Sequence, residues 1–362
     1  MTRNFSARDH DWTLLGFVMM IATLGALQIY SATRATVWKG AHYRQVLWIL
    51  GGLALMWLIS VVDYHALINR VPLLYLLTII GLVVILAFAQ PRFGARRWIE
   101  VAGVSFQVSE FAKVVLILVV ARYCAEMRRD AVVISDLLKI GALVGVPMLL
   151  VMLQPDLGTA LSLAPIAAGG IFLAGLRWKH AVILLMAVAV TLPAGWALLR
   201  PYQKERLLTF VDPDRDPRGS GYQVIQSRIA VGAGGLWGQG IAKGTQTQLR
   251  FLPVPHTDFI FSAFAEEHGF SGVVLALALY VVVLMRILSN AQTASDRAGT
   301  YICVSVAMLL LFHLLVNVGM VTGRMPVTGI PLPLMSYGGS AMLTVFLMLG
   351  LVNNVRLRRF VN

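Results

Sequence analysis

Long apolar runs separated by short polar ones set the plan of this chain. Ten runs carry few or no charges and approach the roughly 20 residues that a helix needs to cross a bilayer. They cover about 12–32, 45–62, 71–90, 109–124, 138–153, 157–176, 179–199, 259–285, 299–322 and 334–355. Hydrocarbon offers the backbone no hydrogen-bonding partner, so each run is predicted to be a helix. The expected fold is an all-α integral membrane protein: a single polytopic domain over 1–362 with about ten transmembrane helices. The first run ends without an Ala-x-Ala cleavage site and is read as a span rather than a leader. Between the seventh and eighth runs, about 200–258 form a large extracytoplasmic loop. Pro213, Pro217, Gly219 and Gly221 punctuate turns in it. The first half of VIQSRIAVGAGGLWGQGI reads as a short amphipathic helix lying on the interface.

Composition agrees with this plan. Hydrophobic residues make up 58% of 362 and charged residues 13%, with mean hydropathy +0.76, which excludes an ordinary soluble domain. The net charge of +13 favours contact with a membrane surface and does not imply nucleic acid. An even number of spans places both termini on one side, and that side holds fourteen Lys and Arg against seven in the short loops opposite. The positive-inside rule then puts both termini in the cytoplasm. The outer face is still basic, and two explanations stand: anionic headgroups, or an anionic, phosphate-bearing ligand. Cys124 and Cys303 form neither a disulfide framework nor a metal site and are read as buried thiols.

Several patterns lead nowhere. The glycines of Gly232–Gly240 follow no strand, and Lys243 precedes Gly244 in the wrong order for a phosphate loop. The histidines lack metal-ligand spacing, and His313 is read as a packing residue within a span.

Five features meet on the predicted outer face. Asp258, preceded by His256 and Thr257, stands where a polar loop enters an apolar helix; it suits a helix N-cap or a site at the membrane surface. Arg96 and Arg97 suit phosphate recognition, whereas the neighbouring Trp98 also suits an interfacial anchor. Glu110 and Lys113 share a helix face, as a structural ion pair or as part of a site. Asp156 lies in a tight turn and fits a cap for Thr159. The GIPLPLMSYGGS segment, containing Ser336, can break the start of the last span and offer backbone groups to a ligand, or it can simply pack.

HTDFIF followed by Glu266 and Glu267, together with QPDLGTAL, GARRWI, SFQVSEFAK and LPLMSYGGS, resembles the SEDS family (shape, elongation, division, sporulation) along essentially the whole chain. LLTFVDPDRDPRGSGYQVIQS and KGTQTQLRFLP resemble its elongation (RodA-type) branch more than its division (FtsW-type) branch. The resemblance implies a peptidoglycan glycosyltransferase of the bacterial cytoplasmic membrane. Such an enzyme polymerises lipid II, an undecaprenyl-pyrophosphate-linked disaccharide, into glycan strands on the outer face of the cytoplasmic membrane. Its implied partners are a class B penicillin-binding protein and other elongation-complex proteins. Asp258 matches the family's essential aspartate, the expected general base of an inverting transfer. Arg96, Arg97, Trp98, Glu110, Lys113, Asp156, His256, Thr257, Glu267 and Ser336 are the expected substrate-binding residues. A divalent cation (Mg or Mn) is left open as cofactor. The family usually has Glu where Val254 stands and Pro where Val108 stands; the first departure removes a carboxylate near Asp258. A flippase for lipid-linked precursor and a scaffold without chemistry are the competing readings.

Overall fold

A computed structural model describes residues 9–34, 36–89, 97–101, 104–127, 131–216 and 219–359. Helices occupy all ten expected segments: α1 (Trp12–Thr33), α2 (Ala41–Val61), α4 (Val71–Phe88), α5 (Val108–Glu126), α6 (Ile134–Leu153), α7 (Leu157–Leu173), α8 (Trp178–Leu198), α12 (Ile260–Gln292), α13 (Arg297–Val321) and α14 (Gly339–Leu357). Seven of them are long and apolar enough to cross a membrane. Shorter helices fill the connections: α3 (Tyr64–Asn69), α9 (Pro201–Val211), α10 (Ser220–Ala233) and α11 (Thr245–Gln248). Side chains cap several starts, with Asp11 accepting from the Leu14 amide, Asp156 from Thr159 and Asp296 from Gly299; each satisfies an orphan donor of a first turn.

The centre of the bundle is α13, which packs against α5, α7 and α12, while α14 packs along α2. The two ends of the chain meet: the Asp11 amide donates to Asn353, and Arg356 reaches Asp11.

Three local results add to the expected pattern. The connection between α4 and α5 contains an antiparallel hairpin, β1 (Ile99–Val101) with β2 (Val104–Phe106), Ile99 standing opposite Phe106. Its apolar–polar alternation around Ala102-Gly103 is a strand signal hidden in a stretch read as loop. The expected short helix is α10, which packs on α12 and α13, with Ser227 buried and bonded to Ser262 (2.9 Å) and to the Val321 carbonyl (2.7 Å). The glycines dismissed as a decoy prove structural. α12 is broken at Gly269 (φ 65°, ψ −167°), and Gly232–Gly240 fills the break. Gln239 and Gly240 donate to the carbonyls of Glu266 and Glu267, while Phe270 and Ser271 donate to Gly235 and Leu236. A helix interrupted near lipid survives only if its freed backbone groups find such partners.

The last span starts at Gly339 rather than near 334. The residues before it, through Leu332, Leu334 and Met335, are irregular yet buried. A Cβ on Gly25 would lie 2.6 Å from Met335 Cα, so a bare helix backbone is what admits this segment to the core.

Candidate active site

Asp258 is half-buried, two residues before α12. Its side chain faces Gly329, where an added Cβ would stand 3.4 Å from the Asp258 Oδ2 and 3.9 Å from the Arg206 Nη1. Gly329 has φ 74°, a conformation costly for any other residue. Carboxylate and guanidinium therefore approach one bare stretch of backbone. Arg206 comes from α9 and is held by a bond from its Nη1 to the Val327 carbonyl (3.3 Å).

The second carboxylate, Asp156, is nearly buried and fully engaged. It takes Arg97 at 3.4 Å, Gln107 Nε2 at 2.8 Å and the Thr159 amide at 3.3 Å. Trp98, next to Arg97, is half-buried at the base of the hairpin. Gln107 is itself placed by its amide's bond to Ser340 Oγ (3.1 Å), which ties the hairpin to the start of α14.

Burial drives Asp258 above the usual carboxylate range. Arg206 and then Arg97 pull it down, Asp156 pushes it up, and a bond from Thr257 favours the charged form; burial prevails. Among the described residues no cation lies within ion-pair distance of Asp258, whereas Arg97 sits on Asp156. The resulting carboxylate is more basic than a free one and is not locked into a salt bridge. His256 is buried between Trp38 (5.3 Å) and Tyr337 (5.9 Å), and burial holds its imidazole below the ordinary value, favouring the neutral ring.

The other expected site residues fall in different places. Thr257 adjoins Asp258, and its carbonyl accepts from Ser336 Oγ at 2.7 Å. Ser336 also accepts from the Leu332 amide at 2.8 Å, so its proton and one lone pair hold backbone. Glu110 and Lys113 form a buried 2.6 Å pair on α5; with His313, Pro331 and Ser336 they line a cavity of ≈ 10 Å³ against the irregular segment, and Asp258 is not part of that lining. Glu267 is buried and accepts a hydrogen bond from Ser31 of α1, on a side of α12 that this network ties to α1 and not to Asp258. Arg96 lies outside the described residues. Sequence reasoning missed Arg206, Gln107 and Asn317. Asn317 alone carried a usable signal, as a polar residue inside an apolar span.

No three His, Cys, Asp or Glu side chains converge on a metal position among the described residues. The oxygens of Asp156 already have partners, and two arginines supply the positive charge near Asp258. This donor set does not fit a protein-held divalent ion.

Comparisons with known proteins agree along the whole chain. The family description FtsW/RodA/SpoVE, cell cycle protein, matches residues 11–359. The peptidoglycan glycosyltransferase MrdB of Escherichia coli (strain K12) is 39% identical over 353 residues, covering 96% of this chain and 94% of its own. A chain from a peptidoglycan synthase complex that coordinates polymerization and crosslinking superposes with TM-score 0.84 at 35% identity, covering 98% of this chain and 99% of its own. The rod shape determining protein RodA of Thermus thermophilus does so with TM-score 0.73 at 29% identity, covering 98% of each chain. With its helices, these relatives place the protein in the bacterial cytoplasmic membrane as a multi-pass protein. The chain belongs to the FtsW/RodA/SpoVE family of cell cycle proteins, the SEDS family that its motifs resemble.

Proposed function

We propose that this protein is a peptidoglycan glycosyltransferase of the RodA type. It polymerises lipid II into glycan strands on the outer face of the cytoplasmic membrane during elongation, alongside a class B penicillin-binding protein that cross-links them. The observation that carries the reading is Asp258: a partly buried, basic carboxylate flanked by arginines that do not neutralise it by contact.

The donor disaccharide is α-linked to pyrophosphate and the product linkage is β-1,4, so one inversion is required. An acceptor 4-hydroxyl attacks the anomeric carbon in line as the bond to pyrophosphate breaks. Asp258 takes the hydroxyl proton as that bond forms, a step for which a raised carboxylate is suited. The pyrophosphate leaves with the bonding electrons, and its charge is met by Arg206 and Arg97. Lipid II reaches the site laterally from the outer leaflet, with both termini of the chain in the cytoplasm. Trp98 lies beside the bound disaccharide. Thr257 and Ser336 act through the backbone that carries Asp258, and Glu110 with Lys113 supports the segment above them.

The test uses purified protein with its cognate penicillin-binding protein, fluorescent lipid II and the Asp258→Asn variant. Glycan strands from wild type and none from the folded variant are expected. Wild-type polymerisation by Asp258→Asn would remove Asp258 as base, and lipid II translocation in liposomes without polymerisation would favour a flippase.

A further inference from the structure

Three consecutive main-chain carbonyls at the site are each received by a partner far away in sequence. The His256 carbonyl accepts from the Tyr337 amide (2.9 Å), Thr257 from Ser336 Oγ (2.7 Å) and Asp258 from Asn317 Nδ2 (3.0 Å). The first contact is backbone to backbone and any residue supplies it. The other two depend on side chains, and that of Asn317 is the more informative.

Asn317 is fully buried in α13. Its Nδ2 makes a second bond, to the Ile330 carbonyl (2.8 Å). Ile330 directly follows Gly329, the residue whose backbone faces the Asp258 carboxylate. One amide group therefore grips both walls of the site, the peptide bearing Asp258 and the peptide bearing Gly329. Its own Oδ1 is buried without a hydrogen-bond partner, so the side chain contributes to this clamp through its donor alone. A polar group buried at this depth is costly unless its bonds are needed where they are made.

We propose that Asn317 is a positioning residue, setting the distance between Asp258 and the Gly329 wall and thereby holding the carboxylate in line with the acceptor hydroxyl. The inference rests on Asp258 being the base. Neither bond of Asn317 reaches substrate, so its loss acts through the placement of Asp258. Ser336 works on the same segment, fastening Thr257 to Leu332 through one hydroxyl. Two clamps on adjacent peptides are coupled, because releasing either one loosens the same segment.

The test measures kcat, KM for lipid II, the pH profile and thermal stability of Asn317→Ala in complex with the penicillin-binding protein, next to wild type and Asp258→Asn. Misplacing a reacting group by about 1 Å costs up to roughly 100-fold in rate, so kcat is expected to fall about 10- to 100-fold with KM changed less than about threefold. Freed from its clamp, Asp258 becomes better hydrated, and the acid limb of kcat moves to lower pH. A residue that merely stabilised the fold would change the yield of protein and leave that limb in place. Asn317→Ala combined with Ser336→Ala should lose less than the product of the two single losses. Should Asn317→Ala not fold, Asn317→Ser, which keeps one donor, carries the same readouts with an intermediate kcat. Wild-type kcat and pH profile in the Asn317 variant, with Asp258→Asn inactive, overturns the proposal. Activity in Asp258→Asn instead overturns the reading of the base on which it rests.

Discussion

Asp11 and Asp258 both stand just before the start of a helix, α1 and α12, and the protein treats them in opposite ways. Asp11, at the start of α1, is nearly inaccessible. It accepts from Arg286 (2.9 and 3.1 Å), Arg356 (3.3 Å), Asn290 (2.9 Å) and the Leu14 amide (3.1 Å). Burial alone would push its acid up, but the bonds from Asn290, Leu14 and Arg286 and the charge of Arg356 hold it below the usual range. At Asp258 burial again pushes up, and two arginines acting without an ion-pair contact leave it there. A carboxylate with every lone pair engaged is a brace, whereas one left basic and approachable can take a proton.

The most drastic way to break this contrast is to neutralise each carboxylate in turn. Asp258→Asn is expected to lower polymerisation by at least the about 10²–10⁴-fold that general-base catalysis supplies, with thermal stability held within a few degrees. Asp11→Ala is expected to do the reverse. It strands Arg286 and Arg356 beside a buried gap, costing on the order of 3 kcal/mol of stability, while turnover per folded molecule stays within about twofold. Thermal unfolding and single-turnover polymerisation on the same preparations separate the two outcomes.

Arg206→Ala sharpens the electrostatic half of the comparison. A general base must be deprotonated, so wild-type kcat falls as pH drops through the Asp258 pKa, which lies above the ordinary carboxylate value of about 3.9. Arg206 pulls that pKa down. Its removal should therefore move the acid limb to higher pH and raise KM for lipid II about tenfold; an unmoved limb would sever Arg206 from Asp258. The smallest effect is expected from Gly329→Ala. The positive φ costs about 1–2 kcal/mol, and the methyl group, 3.4 Å from Oδ2, should reduce kcat a fewfold without changing the pH profile.

The helices were legible because lipid leaves an apolar run of this length no other stable form, and helices appear in all ten segments, the last of them starting only at Gly339. Asp258 was legible as a carboxylate at a loop–helix junction, and Asp156 as a cap, a role it keeps while also holding Arg97. Glu267 was expected among the substrate-binding residues, and only the structure shows its bond from Ser31 of α1. Ser336 looked like a ligand contact, and its hydroxyl turned out to join two peptides. The hairpin escaped notice because two strands of three residues hardly register in a hydropathy scan.

By itself, the sequence determined which runs are helical, since burial of apolar surface and backbone self-satisfaction are local properties of each run. It also determined which polar residues were too costly to be accidental. The tertiary structure decided which of them meet. Arg206 reaches the site from a connecting helix, Gly329 from the segment between α13 and α14, and Asn317 from within α13, and no spacing along the chain encodes those distances. The helical glycines did the same for packing: Gly25 admits Met335, and Gly269 breaks α12 only because Gly232–Gly240 arrives to bond its open ends. Close approach between distant segments depends on side-chain volume at both partners at once, and that is settled only when the helices pack.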